Sequence, residues 1–271
     1  MQKNYSFIFT AVCFLLVQQT HAQTCDTINM PVPPSWSAIT YAGQSPFGPS
    51  GYLNGTNASV DSAKANYFDL SSSSFTHILG VIVKFGKANS NVAANLNKLI
   101  GFSIYSDAGG LPGTLLASVQ KPLQDIKTDV LAGVTTNINF PAPVAMPAGK
   151  KFYMAVEISN LNCCLNPKKD SVWVAGTASG EVTINTAWNK QKNGDWESFE
   201  DSYSDPLNPG KDLKTTLWIF PYVSNGTTGC AALPVHLISF NAARKNNDAV
   251  INWQVSNEIN MRSYDLERSA N

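Results

Sequence analysis

Apolar and polar residues alternate with a period of two along most of the chain, a pattern that places side chains on opposite faces of strands. Runs rich in β-branched and aromatic residues occupy Ala65–Leu70, His77–Phe85, Leu99–Tyr105, Thr114–Val119, Thr135–Phe140, Phe152–Ile158, Val172–Ala175, Val182–Trp188 and Leu217–Val223. Gly, Pro, Asn and Asp separate them at the short intervals of a sandwich. Asn193-Gly194, between Trp188 and Trp196, is a hairpin signal, because a tight primed turn needs positive φ at its centre. Only Leu123–Ala132 offers room for a turn or two of helix. The pattern predicts an all-β fold, with an antiparallel β-sandwich of jelly-roll or Ig-like type over residues 23–230.

The N-terminus reads differently. Lys3 precedes the apolar run Phe7–Val17, and polar Gln18–His21 leads to Ala22. That run is too short for a bilayer core, which takes about 20 residues. The order basic, apolar, polar, small is that of a cleavable secretory signal, so residues 1–22 are expected to be removed and the chain exported. A lipid anchor on Cys25 is the alternative, although Gln23 and Thr24 stand where small residues would precede a lipidated cysteine. No later stretch is apolar enough to span a membrane as a helix.

A second unit is expected over residues 231–271. Leu237–Ala242 and Val250–Val255 alternate, and Ser263–Glu267 begins a third strand. Three strands do not close a sandwich, so this unit is read as the start of a second one whose remainder lies beyond this sequence.

Charge and cysteine content narrow the function. Without Lys3 the chain carries 18 basic and 19 acidic residues, a net charge of −1, which offers nothing to nucleic acid or an anionic membrane. Export permits disulfides among Cys25, Cys163, Cys164 and Cys230. Cys25 and Cys230 bracket the first domain, so a bond between them is favoured. Cys163-Cys164 is then a vicinal bridge or stays reduced. The cysteines have no zinc-site spacing.

Catalytic groups are scarce. The exported chain has two histidines, His77 and His236, in separate units, and no G-x-S-x-G or H-E-x-x-H motif. Asp195, Glu197 and Asp201 follow the Asn193-Gly194 turn closely. Clustered carboxylates can hold Ca²⁺, or work as a glycosidase pair, or form a solvated loop balanced by Lys190, Lys192, Lys211 and Lys214. Trp188 and Trp196 flank the hairpin and Tyr203 follows, a set that could stack on sugar rings if it faced outward. Trp173 and Trp218 are expected in the core.

Leu233-Pro234-Val235, Phe240, Trp253, Glu258, Asn260, Tyr264 and Glu267-Arg268-Ser269 together resemble a module of secreted Bacteroidota proteins. The resemblance implies a fibronectin-III-like sandwich, placed shortly before the C-terminal sorting domain read by the type IX secretion system. That sorting domain is absent from this sequence. Phe85-Gly86-Lys87-Ala88, Ile104-Tyr105-Ser106-Asp107, Leu111–Ser118, Phe152–Glu157 and Asn185–Trp188 resemble an accessory β-sandwich of the same proteins, with Gly194-Asp195-Trp196 and Ile219-Phe220-Pro221 continuing the pattern. The lineage implies O-glycosylation at Asp-Ser/Thr-aliphatic triplets, matched by Asp26-Thr27-Ile28, Asp61-Ser62-Ala63 and Asp170-Ser171-Val172. The expected function is a secreted or cell-surface structural or adhesive module without catalysis. The alternatives are an accessory module that binds a glycan or a surface protein, and a glycoside hydrolase.

Overall fold

The computed structural model describes residues 24–28, 38–45, 48–161, 170–178, 181–203, 210–227, 236–245 and 248–256. The predicted signal, Cys163, Cys164, Cys230, the predicted strand Ser263–Glu267 and most of the residues carrying the C-terminal resemblance lie outside them. Among the described residues the chain runs through β1 (Cys25–Thr27), β2 (Ala42–Ser45), β3 (Gly48–Tyr52), β4 (Ala63–Asp69), β5 (His77–Val83) and β6 (Phe85–Ser90). It continues through β7 (Leu99–Asp107), β8 (Pro112–Pro122), helix α1 (Leu123–Leu131), β9 (Thr136–Ala145), β10 (Lys151–Glu157) and β11 (Asp170–Val174). Last come β12 (Ala187–Lys190), β13 (Trp196–Ser198), the single turn α2 (Phe199–Ser202), β14 (Ile219–Ser224), β15 (His236–Lys245) and β16 (Asp248–Ser256).

The fold is an all-β sandwich of antiparallel sheets, as the periodicity predicts. One sheet has the order β1-β14-β5-β9 and the other β13-β12-β4-β10-β7-β8. A continuous core contains Ile78, Val83, Ile138 and Ile219 from the first sheet, with Phe68, Phe102, Phe152 and Met154 from the second. Phe68 and Phe152 pair across β4 and β10 and stack at 5.5 Å. Helix α1 buries Leu123 and Ile126 completely in this core. It is longer than the turn or two that Leu123–Ala132 suggested. The pair β15–β16 forms its own two-stranded sheet, which agrees with the two strands expected there.

Two buried amides tie the layers together. Asn66, on β4, donates to the carbonyl of Leu217 and accepts from the Leu217 amide at 3.0 Å. Asn54 accepts from the Tyr41 amide at 3.1 Å and donates to the carbonyls of Ile39 and Val174 at 3.1 and 2.6 Å. A buried amide is tolerated when both its ends are satisfied, as backbone groups satisfy them in both of these. Asp170, fully buried, accepts from Ser90, Asn95 and Lys98 at 2.6, 3.0 and 2.8 Å. It therefore fastens β11 to β6 and to the segment leading into β7.

Trp218 packs against the core as expected, whereas Trp173 departs from expectation. Both are only partly buried. Trp173 lies across Gly86, where an added Cβ would fall 1.7 Å from the ring. No helix among the described residues is long and apolar enough to cross a membrane, a statement that does not extend to strands.

Candidate binding pocket beside the β12–β13 hairpin

Along β4 the side chains facing the other sheet are Phe68, Asn66 and Lys64, so the interior becomes polar towards the start of the strand. Opposite them on β12 stand Ala187, across from Asn66, and Asn189, across from Lys64. Lys64 is 1% exposed, with its ammonium 2.5 Å from Oδ2 of Asp61. The same Oδ2 accepts from Asn57 Nδ2 and from the Tyr203 hydroxyl, each at 2.7 Å. Lys64 Nζ also lies 3.3 Å from the Tyr203 oxygen and over the rings of Phe199 and Tyr203, at 5.2 and 5.5 Å.

The energetics follow from burial. Desolvation pulls the Lys64 ammonium down to about 8, and the Asp61 charge holds it from falling further. Burial alone would raise the Asp61 carboxyl. The Lys64 charge and the hydrogen bonds from Lys64, Asn57 and Tyr203 together outweigh it, and hold Asp61 below the usual carboxylate range. Burial first, then the charge of Asp61, pushes the Tyr203 phenol well above its ordinary value. At neutral pH the cluster is an ion pair with a neutral tyrosine bonded to both members.

The local sequence explains how Tyr203 arrives there. Gly194 takes φ +98 and closes the turn that the Asn193-Gly194 signal predicts. The strand β13 then leads into α2, whose start Ser198 caps by accepting from the Asp201 amide at 3.1 Å. Phe199, fully buried, meets Tyr203 edge to face at 5.1 Å and fixes its ring.

A cavity of 640 Å³ opens beside this cluster, lined by Asp61, Asn189, Gln191, Glu197, Ser202 and Tyr203, with Ser59, Lys192 and Asn193 at its other walls. Glu197 Oε2 accepts from Gln191 Nε2 at 2.5 Å and from the Ser202 hydroxyl at 2.8 Å. Asn189 is 2% exposed, and its Oδ1 has no hydrogen-bond partner. It is the one buried side-chain polar atom among the described residues in that condition.

The residues singled out from sequence are divided by this geometry. Tyr203 and Glu197 line the pocket, whereas Trp188 and Trp196 lie on the outer face of the six-stranded sheet. Neighbours on a strand point to opposite faces, so Trp188 and Asn189 cannot serve one surface. Trp188 meets Tyr153 edge to face at 5.5 Å, and Trp196 meets Tyr105 likewise at 5.5 Å. Both rings are half-buried, over Ala65 and Ala155, in a small second core. They do not form a platform with Tyr203.

Asp195, Glu197 and Asp201 are not brought together either. Asp195 accepts from Asn193 at 2.7 Å within the turn, and Asp201 accepts from the Ser198 hydroxyl at 2.6 Å. Among the described residues no three His, Cys, Asp or Glu side chains gather as a metal site. His77 pairs its Nδ1 with the Thr76 hydroxyl at 2.8 Å at the start of β5, away from the pocket-lining residues. Two of the triplets matching an O-glycosylation pattern use their acids structurally, since Asp61 and Asp170 are buried in ion pairs. Ser62 is also engaged, donating to the carbonyls of Lys190 and Gln191 at 3.2 and 3.1 Å. Thr27, next to exposed Asp26, is partly exposed.

Lys64 and Asn189 carry no motif in the sequence, and Asp61 enters only within its triplet. The available signal was the pair Asp61 and Lys64 at the entry to a strand of small and aromatic residues. Cys25 is buried and aligned with Ser224, six positions before Cys230 in the chain. Comparison with protein-family profiles, curated proteins and solved structures finds no match.

Proposed function

We propose that this chain is an exported, non-catalytic module of the cell surface or medium, adhesive in role, that makes its contact through the pocket beside β12 and β13. The observation that carries the reading is the commitment of the pocket's charges. Asp61 spends its Oδ2 on Lys64, Asn57 and Tyr203, and Glu197 spends its Oε2 on Gln191 and Ser202. A carboxylate held ionised by a buried ammonium is a rigid wall and a poor proton donor. Export by the type IX route, followed by surface display, is supported by the signal-like N-terminus and by the resemblance at Leu233–Ser269.

The test has two arms. Protease shaving of intact producing cells, with N-terminal sequencing, is expected to find the chain outside and beginning near Gln23. A chain retained inside with Met1 in place would overturn export. Beads coated with the full chain are expected to adhere to cells or matrix, and a chromogenic glycoside panel is expected to stay uncleaved. Hydrolysis abolished by Glu197→Gln in a chain that still folds would replace the module by a glycoside hydrolase.

A further inference from the structure

We infer that the pocket holds a neutral sugar residue, one of whose hydroxyls hydrogen-bonds the side-chain amide of Asn189. This rests on the proposal that the pocket is the module's contact and names what fills it. A buried amide oxygen without a donor costs free energy, and the chain supplies none, so the Asn189 amide gains by turning this oxygen into the cavity, where water or a ligand can donate to it. A ligand that supplies the donor and displaces that water gains what the fold left unmade.

Three features select a sugar. The lining side chains are Ser, Asp, Asn, Gln, Lys, Glu and Tyr, with Tyr203 the one aromatic ring among them. A peptide docks by seating apolar side chains between its backbone bonds, and this lining has no pocket for one. The formal charges also balance, with Asp61 and Glu197 against Lys192 in the wall and Lys64 directly behind Asp61. The charge balance thus gives no advantage to an anion or a cation. Finally, the wall mixes donors and acceptors already held by their neighbours, such as Gln191 and Ser202 on Glu197. Hydroxyl groups, which both donate and accept, match such a wall. At 640 Å³ the cavity falls in the usual range for small-ligand sites, about 300–1,000 Å³.

The experiment uses the full exported chain on an array of neutral mono- and oligosaccharides, with any hit quantified by titration. Asn189→Leu removes the acceptor at similar size and is expected to weaken binding about tenfold, the worth of one hydrogen bond. Ser59→Trp, at an exposed position on the rim, is expected to abolish binding without touching the core. Trp188→Ala, on the opposite face, is expected to leave it unchanged. Sugar binding lost in Trp188→Ala but kept in Ser59→Trp would overturn the inference and move the site to the outer face. Binding only to proteins, or a silent array with a folded chain, would overturn it too. In both of those cases bead adhesion would decide separately whether the adhesive module stands.

Discussion

Asn replacing Asp61 should destabilise the sandwich by an amount that depends on pH in a direction fixed by Lys64. The two charges lie 2.5 Å apart at closest approach, with side chains 1% and 3% exposed. Charge centres about 4 Å apart attract by about 4 kcal/mol at an effective dielectric near 20. Desolvation costs several kcal/mol per ion and roughly offsets that, so the intact pair adds little net stability. Breaking it is different, because the surviving ion keeps its desolvation cost, and about 3–5 kcal/mol is expected at pH 6. Lys64 has an escape. Its folded pKa, about 8, already lies below the 10.5 of an unhindered lysine. A base whose pKa is depressed by folding binds its proton better unfolded, so stability rises with pH between the folded and unfolded values. Without Asp61 the folded value drops further, and at pH 9 both proteins hold Lys64 largely neutral. The cost of Asp61→Asn should therefore shrink between pH 6 and pH 9. Urea unfolding of the full chain at both pH values, followed by tryptophan fluorescence, measures it. Lys64→Met and the double variant complete a cycle in which the double should lose about 2–3 kcal/mol less than the sum of the singles. A cost below about 1 kcal/mol at pH 6, or an equal cost at both pH values, would refute the reasoning.

Acid should act through the same carboxylate. Asp61's folded pKa is depressed below 3.8, so its contribution is complete above that value and is lost as pH falls through the folded one, read as an acid limb in the same unfolding series. Gly194→Ala and Gly86→Ala separate two costs. At Gly194 an added Cβ meets nothing but φ is +98, so about 1 kcal/mol is expected from backbone strain. At Gly86 the Cβ collides with Trp173, so thermal melts should show a larger loss, about 1–3 kcal/mol, with a changed tryptophan spectrum. A Cys25–Cys230 bond is the proposed disulfide, since Ser224, the ladder partner of Cys25, stands six residues before Cys230. Non-reducing peptide mapping should find it, and Cys25→Ser should cost about 2–4 kcal/mol. Mapping that links Cys25 elsewhere would remove the proposal.

What was legible in the sequence was what local chemistry decides. The strands from Leu99 to Glu157 and the Asn193-Gly194 hairpin were readable because alternation and a turn requirement act over a few residues. Two elements, and the inward face of a third, were not. Phe85–Ser90 has two apolar residues, Phe85 and Ala88, yet forms β6, because Gly86 there accepts the Trp173 ring from β11. Val182–Thr186 is β-branched but outside any strand; its end is held by the Thr186 amide on the Thr215 carbonyl and by the Thr186 and Thr216 hydroxyls at 2.8 Å. The strand β4 hides the site most effectively. Ala63-Lys64-Ala65-Asn66-Tyr67-Phe68-Asp69 invites the alanines inward and the lysine outward, and the structure does the reverse. Ala65 lies under Trp188 and the outer-face tyrosines, while Lys64 and Asn66 face the core.

That inversion places the pocket. From Phe68 through Asn66 to Lys64 the interior of the sandwich changes from apolar to amide to ion pair, and from Ala187 to Asn189 it changes in step. An apolar core excludes water and leaves no cavity with polar walls. A polar end admits water and keeps its shape only if its charges are fixed. Asp61 fixes Lys64 and also forms part of the wall, so the ion pair and the proposed binding surface share one carboxylate. Removing it would confuse the two, since lost binding could follow from lost structure. Asn189 is the better probe, because its Oδ1 is unbonded in the fold and an effect of its loss on affinity, without a matching loss of stability, belongs to the ligand.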